Sequence, residues 1–275
     1  MSEAISVHHG DFGRAALYQL SKPIIPHAHR EGHLVFYLDG GVAKICVGTE
    51  VFDADSTRAV AVSPWESHNF ELVDPSKPCL CLVLYIKPMW FIETGENTDC
   101  GMSFGRPSIR LTPEIDRWAV RTAALLMEQE TSAQLDNHLY EIARLCFENS
   151  WSGAEDRSTI ALARGKFSDY RVRRSLKLMR ENFADEVEID WLAREAGLSR
   201  PHFFKLFKKQ MGITPNLYLN TLRAEQAIED LMTSDKTVTE ISYDLGFSSQ
   251  ASFTRFFTSN VGIPPSDYRR VAHVT

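Results

Sequence analysis

Slid against itself, the stretch 171–275 matches twice. Leu192 to Ser199 (LAREAGLS) falls on Ile241 to Ser248 (ISYDLGFS) at an offset of 49. Further on, Phe203, Phe207, Gly212, Pro215 and Tyr218 fall on Phe253, Phe257, Gly262, Pro265 and Tyr268 at an offset of 50, so one residue is inserted in the second turn. Self-similarity at this spacing means one supersecondary unit used twice.

Each copy carries the same local instructions. A short helix ends at a glycine able to turn left-handed, Gly197 or Gly246, and an apolar residue, Leu198 or Phe247, pins the turn. Ser199 or Ser248 opens a second helix whose inward side holds a pair of aromatics. This is the helix-turn-helix plan, in which the second helix enters the major groove of DNA and shows its outer side to base edges. The outer residues of the first such helix are Arg200, Pro201, Phe204 and Lys205, with Lys208 and Lys209 beyond; those of the second are Ser249, Gln250, Ala251, Thr254 and Arg255. Arg and Gln suit bidentate pairing with guanine and adenine, and Lys suits phosphate. Between the copies, Thr214-Pro215 opens a helix reaching about Met232, a rod of roughly 27 Å that could hold two reading helices about one DNA turn apart.

Residues 171–270 resemble the DNA-binding domain of the AraC/XylS family, above all in ISYDLGFSSQASFTRFFTSNVGIPPSDYRR, which ends in Tyr268-Arg269-Arg270. The resemblance implies a sequence-specific transcription regulator, more often an activator than a repressor, acting on double-stranded promoter DNA and, as an activator, with RNA polymerase. Pro201 and Phe204 depart from the family's polar reading residues, so the first unit is expected to act by thymine methyl contact or phosphate grip.

The net charge of −6 at first argues against a DNA partner. Residues 1–170, however, carry 15 Lys and Arg against 23 Asp and Glu, while 171–275 carry 15 against 13, and it is the local potential at the contacting face that matters. At 275 residues the chain has room for two domains with their own cores. The five cysteines, Cys46, Cys79, Cys81, Cys100 and Cys146, are odd in number and lack a C-x-x-C pair, which argues against a disulfide or zinc framework. No basic leader and no run of about twenty apolar residues occurs, so a cytoplasmic protein with no membrane partner is expected.

From about 15 to 90 short apolar runs alternate with turn residues: LVFYL, Asp39-Gly40-Gly41, VAKICV, Gly48-Thr49, RAVAVSP and CLCLVLYI. The Asp-Gly predicts a hairpin joining its flanking runs. At Thr112-Pro113 the period turns helical, with stripes through Ile115, Trp118, Ala119, Leu125 and Leu126 and then through Leu135, Leu139, Ile142, Leu145 and Cys146. These predict a helical hairpin too small to stand alone, which would pack on the barrel or on a second subunit, making a homodimer.

Pro26-His27-Ala28-His29-Arg30-Glu31-Gly32-His33, ending at Gly40, sets three histidines of one parity on an extended strand, and His68 closes Pro64-Trp65-Glu66-Ser67-His68. This resembles the two cupin motifs, with His33 where a glutamate is usual and without the glycine of the second motif. The resemblance implies a barrel in which His27, His29, His33 and His68 converge on a divalent ion such as zinc, nickel or iron. Against it stands loss of the metal with retention of the fold. Trp65, Phe36, Tyr37 and Phe70 are expected in the barrel wall.

The expected fold class is therefore α+β and multidomain. A cupin or jelly-roll β-barrel over 1–110 binds a small-molecule effector or metal, a hairpin over 111–150 dimerises, a linker spans 151–169, and an all-α domain over 170–275 holds two helix-turn-helix motifs. Two alternatives are carried: a metal-dependent enzyme fused to a DNA-binding tail, for which Glu31 and Glu66 are the only acid–base candidates, and a constitutive DNA-binding protein whose barrel only dimerises.

Overall fold

The structure, a computed structural model, describes residues 2–88, 90, 103–128, 133–151, 169–184 and 187–274. Its strands are β1 (Glu3–Gly10), β2 (Gly13–Leu20), β3 (Ile24–His27), β4 (Gly32–Gly40), β5 (Ala43–Val47), β6 (Glu50–Ala54), β7 (Arg58–Val62), β8 (His68–Leu72), β9 (Cys79–Ile86), β10 (Ser108–Arg110) and β11 (Ala272–Val274). They form a seven-stranded sheet in the order β10-β7-β4-β9-β2-β1-β11 and a four-stranded sheet in the order β3-β8-β5-β6. The N-terminal domain is thus an antiparallel sheet domain as expected, with its strands, among the described residues, in two sheets that do not close into one barrel.

The centre of the larger sheet follows from period-2 patterning with apolar residues at both parities. On β2, Ala15 and Leu17 enter one core while Ala16, Tyr18 and Leu20 enter the other; on β9, Leu82, Leu84 and Ile86 oppose Cys79, Cys81, Val83 and Tyr85 in the same way. The first of these cores is capped by a helical hairpin, α1 (Pro113–Met127) and α2 (Ala133–Trp151). Thr112 caps α1 by accepting from Ile115 N, with Pro113 at the first helical position.

The Asp39-Gly40 turn is a correction. β4 pairs with β7 and β9, whereas β5 pairs with β6 and β8, so the turn carries the chain from one sheet to the other. Gly40 has a φ of 86°, and a Cβ there would overlap the Pro78 carbonyl, so glycine is required by a corner and not by a hairpin. The hairpin lies one turn later, where Gly48 (φ 63°) joins β5 to β6.

The helical tail comprises α3 (Tyr170–Asn182), α4 (Ile189–Glu195), α5 (Arg200–Met211), α6 (Pro215–Thr233), α7 (Val238–Asp244), α8 (Gln250–Val261) and α9 (Pro265–Val271). The linker expected over 151–169 falls almost wholly outside the described residues. The tail does not stand apart. β11 adds to the larger sheet in parallel with β1, and Phe253, Phe257 and Tyr268 share a core cluster with Tyr18, Val83 and Tyr85. Among the described residues no helix is long and apolar enough to cross a membrane.

Candidate nucleic-acid interface and histidine centre

Both tail units turn as their sequences require. Gly197 and Gly246 have φ of 66° and 76°, and the Leu198 and Phe247 amides donate back to Ala193 O and Ser242 O. The inserted residue moves the cap of the second unit: Ser199 precedes α5, whereas Ser249, one place beyond the expected Ser248, caps α8 by accepting from Ser252 N. Phe203, Phe207, Phe253 and Phe257 are fully buried, each stabilising its unit by roughly 1.5–3 kcal/mol. The opposite sides of α5 and α8 are therefore held outward.

On α5, Arg200, Pro201, Lys205, Lys208 and Lys209 are exposed and Phe204 half-buried; on α8, Gln250, Ala251 and Arg255 are exposed and Ser249 and Thr254 half-buried. Sequence reasoning passed over His202, exposed beside Pro201 on the same helix. One geometric rule repeats. The first residue of each helix is tied to the helix before it: Arg200 to Asp190 at 3.0 Å, and Gln250 to Thr239 at 2.6 Å, pairs related by the duplication. Lys205 and Arg255, equivalent at an offset of 50, stand one turn further on, and the Arg255 guanidinium also donates to Ser252 Oγ at 3.2 Å. Such exposed tethers are worth at most about 1 kcal/mol, so a phosphate or base edge can displace them.

The four histidines do meet. His27 ends β3 opposite His68 at the start of β8, and their rings lie 4.2 Å apart between centroids. His29 lies 4.8 Å from His27, and His33 lies 4.2 Å from His68. The ligand atoms of His27, His29 and His68 all fall within 4.8 Å of one another, making these three the tight group with His33 beside them.

The tautomers are dictated by neighbours. His27 Nδ1 faces Ile25 O at 2.7 Å and His68 Nδ1 faces Glu66 O at 2.8 Å; a carbonyl only accepts, so both Nδ1 carry the proton and both Nε2 keep the lone pair. His29 Nε2, His33 Nδ1 and His68 Nε2 are buried without a hydrogen-bond partner. Burial lowers the pKa of His29, His33 and His68 well below the usual imidazole value and brings that of His27 to about 4, so all four are neutral at physiological pH. Neutral imidazoles with inward lone pairs and no donor to satisfy them fit a divalent transition ion.

Around the centre stand groups the sequence did not flag. Tyr85 packs its ring against His29 and His33, and the buried Arg14 lies over that ring, 3.7 Å from its centroid. Arg14 also donates to the hydroxyl of Tyr268 on α9, which contacts His9 at 2.9 Å. An arginine inside the apolar strand GRAALYQL was the available signal. Trp65 is not merely wall: it stacks on Tyr218 of α6, with centroids 5.0 Å apart. Phe36 and Phe70 are core residues as expected.

A family model described as a helix-turn-helix domain matches residues 192–271. The transcriptional activator RhaS of Citrobacter koseri is 24% identical over 257 residues, covering 92% of this chain and 90% of that protein. RhaS of Escherichia coli O139:H28 is 36% identical over 100 residues, 36% of either chain. Among solved structures, an apo variant of ToxT from Vibrio cholerae is similar with a TM-score of 0.61 at 14% identity, covering 96% of this chain and 98% of that one, a likeness of fold.

Proposed function

We propose that the chain is a DNA-binding transcription regulator of the AraC/XylS family, and from that premise derive how it reads DNA and what it senses. α5 and α8 enter successive major-groove segments on one side of the duplex. Gln250, Ala251, Thr254 and Arg255, with Ser249 at the cap, read bases. Arg200, Pro201, Phe204 and Lys205 supply methyl and phosphate contacts, and Lys208 and Lys209 grip the backbone. The observation that carries this reading is the twice-built helix whose aromatic pair is buried and whose opposite side is exposed.

The N-terminal domain is a cupin-like sensor. His27, His29 and His68, with His33 alongside, would hold a zinc, nickel or iron ion through neutral imidazole nitrogens; bound there, the ion would be the signal to which the regulator responds. A small-molecule effector is accommodated as a further ligand of the same centre. In this reading the protein is a cytoplasmic activator that contacts RNA polymerase; activation is in keeping with its likeness to the transcriptional activator RhaS of Citrobacter koseri. It pairs through the α1–α2 hairpin, where Val120 and Met127 are exposed large apolar side chains.

Selection of duplexes from a random pool by the full chain, with zinc and after chelation, tests both parts. A motif of two half-sites about one helical turn apart, enriched differently in the two arms, is expected. A single short half-site would remove the two-helix reading. Unchanged zinc content in the double variant His27→Ala, His29→Ala would remove the metal reading.

A further inference from the structure

The helix joining the two reading units rests on the histidine centre by one stripe. Tyr218, Thr221 and Glu225 lie on one face of α6, three and four residues apart. Each touches a loop that carries a histidine of the centre. Tyr218 stacks on Trp65, three residues before His68. Thr221 Oγ1 donates to the carbonyl of Ala28, between His27 and His29, at 3.0 Å. Glu225 pairs with Arg30, the neighbour of His29, at 2.7 Å. The two loops are themselves joined, since Trp65 N donates to His29 O at 2.7 Å. Trp65 reaches its stacking position with a φ of 64°, among the described residues the one non-glycine in the left-handed region. A tryptophan held there is over-determined by its surroundings, and such positions gather at switches.

We infer that α6 reports the loading of the histidine centre to the two reading helices through Tyr218, Thr221 and Glu225. The inference rests on the metal reading above and adds its route of regulation. The ligand atoms of His27, His29 and His68 lie within 4.8 Å of one another, so one ion held by bonds of about 2.0–2.1 Å ties the 27–33 and 64–68 loops to a common point. Packed elements shift as units and do not deform continuously, so the stripe moves with the loops, and with it the frame that sets α5 against α8. Both ends of α6 belong to the reader: Thr214 caps it directly after α5, and it ends at Thr233, close before α7 and α8.

The test is backbone hydrogen exchange over 215–233 in the full chain, with zinc sulfate and with chelator, alongside zinc affinity from competition with a chromophoric chelator. In the wild type, zinc should slow exchange in this helix about fivefold or more. In the double variant Thr221→Val, Glu225→Gln zinc should still bind, and the slowing should fall below about twofold. Arg30→Gln, which breaks the same ion pair from the other side, should uncouple likewise and serves if the helix variant fails to fold. Equal slowing in variant and wild type would overturn the route, as would zinc binding by the wild type with α6 exchange unchanged; both leave the metal reading standing. Absence of zinc binding by the wild type removes both.

Discussion

Lys205 and Arg255 occupy the same place in the two copies and are expected to do different work. Arg255 has the planar fork that fits guanine, whereas Lys205 sits in a helix with Pro201 and Phe204 beside it and serves phosphate. Arg255→Ala should cost about 1–3 kcal/mol on the selected duplex and far less on random DNA, read by fluorescence anisotropy; equal losses on both would make it a backbone anchor. The buried histidines set the response of the metal-free chain to acid. His9 is lowered to about 3 and His27 to about 4, chiefly by burial, and His29, His33 and His68 are lowered too. Unfolded, these rings take up protons near pH 6.5. The unfolded state therefore binds more protons as pH falls from about 6.5 to 4, and stability present above that window is lost within it. Glu225 opposes this: burial raises its pKa to about 7, so between 7 and the ordinary carboxyl value its protonation favours the folded chain. One carboxyl stands against five imidazoles, so the urea midpoint of the chelated protein should fall between pH 6.5 and 4.5. A midpoint that holds or rises would contradict the neutral assignment.

At the scale of elements, the helices were legible because caps, glycines and apolar stripes act within a turn. Thr112-Pro113 and Thr214-Pro215 open helices where expected, and Gly197 and Gly246 turn the chain after α4 and α7. The sheets were less so. The runs flanking Asp39-Gly40 have the composition of a hairpin, but their partners lie far along the chain, and only the fit of Gly40 under the Pro78 carbonyl distinguishes a corner from a hairpin. Partnering across sequence distance is a tertiary property that local propensity does not encode. The histidine parity did indicate a common site, yet not that His33 stands beside a tighter group of three. The equivalent C-cap glycines give an element-scale test. Gly212 and Gly262 have φ of 79° and 94°; a Cβ at the first meets nothing within 4 Å, while at the second it would come within 2.9 Å of Ile24 on β3. Each Gly→Ala change should cost about 1–2 kcal/mol for the left-handed backbone, with a larger loss at Gly262 from that clash. Equal urea midpoints for the two variants would mean that α8 does not pack on β3.

At the scale of the molecule, charge and composition pointed to an acidic sensor and a net positive reader as separate domains, and the structure joins them. The closing tyrosine of each unit enters the N-terminal domain: Tyr218 on Trp65, and Tyr268 on Arg14 and His9. Nothing in a single sequence pairs residue 14 with residue 268, because a contact across 254 positions leaves no periodic trace. The reader is therefore framed by the N-terminal domain, with α6 as the spacer between its two probes. That spacer makes the phase of the DNA the most direct measurement of the whole account. On duplexes carrying the two selected half-sites, affinity of the full chain should be highest at a centre-to-centre spacing of about 10–10.5 base pairs and should drop at least about tenfold when five base pairs are inserted, which turns the second half-site to the far side of the helix. Affinity indifferent to that insertion would show that α5 and α8 do not engage one face of the duplex together.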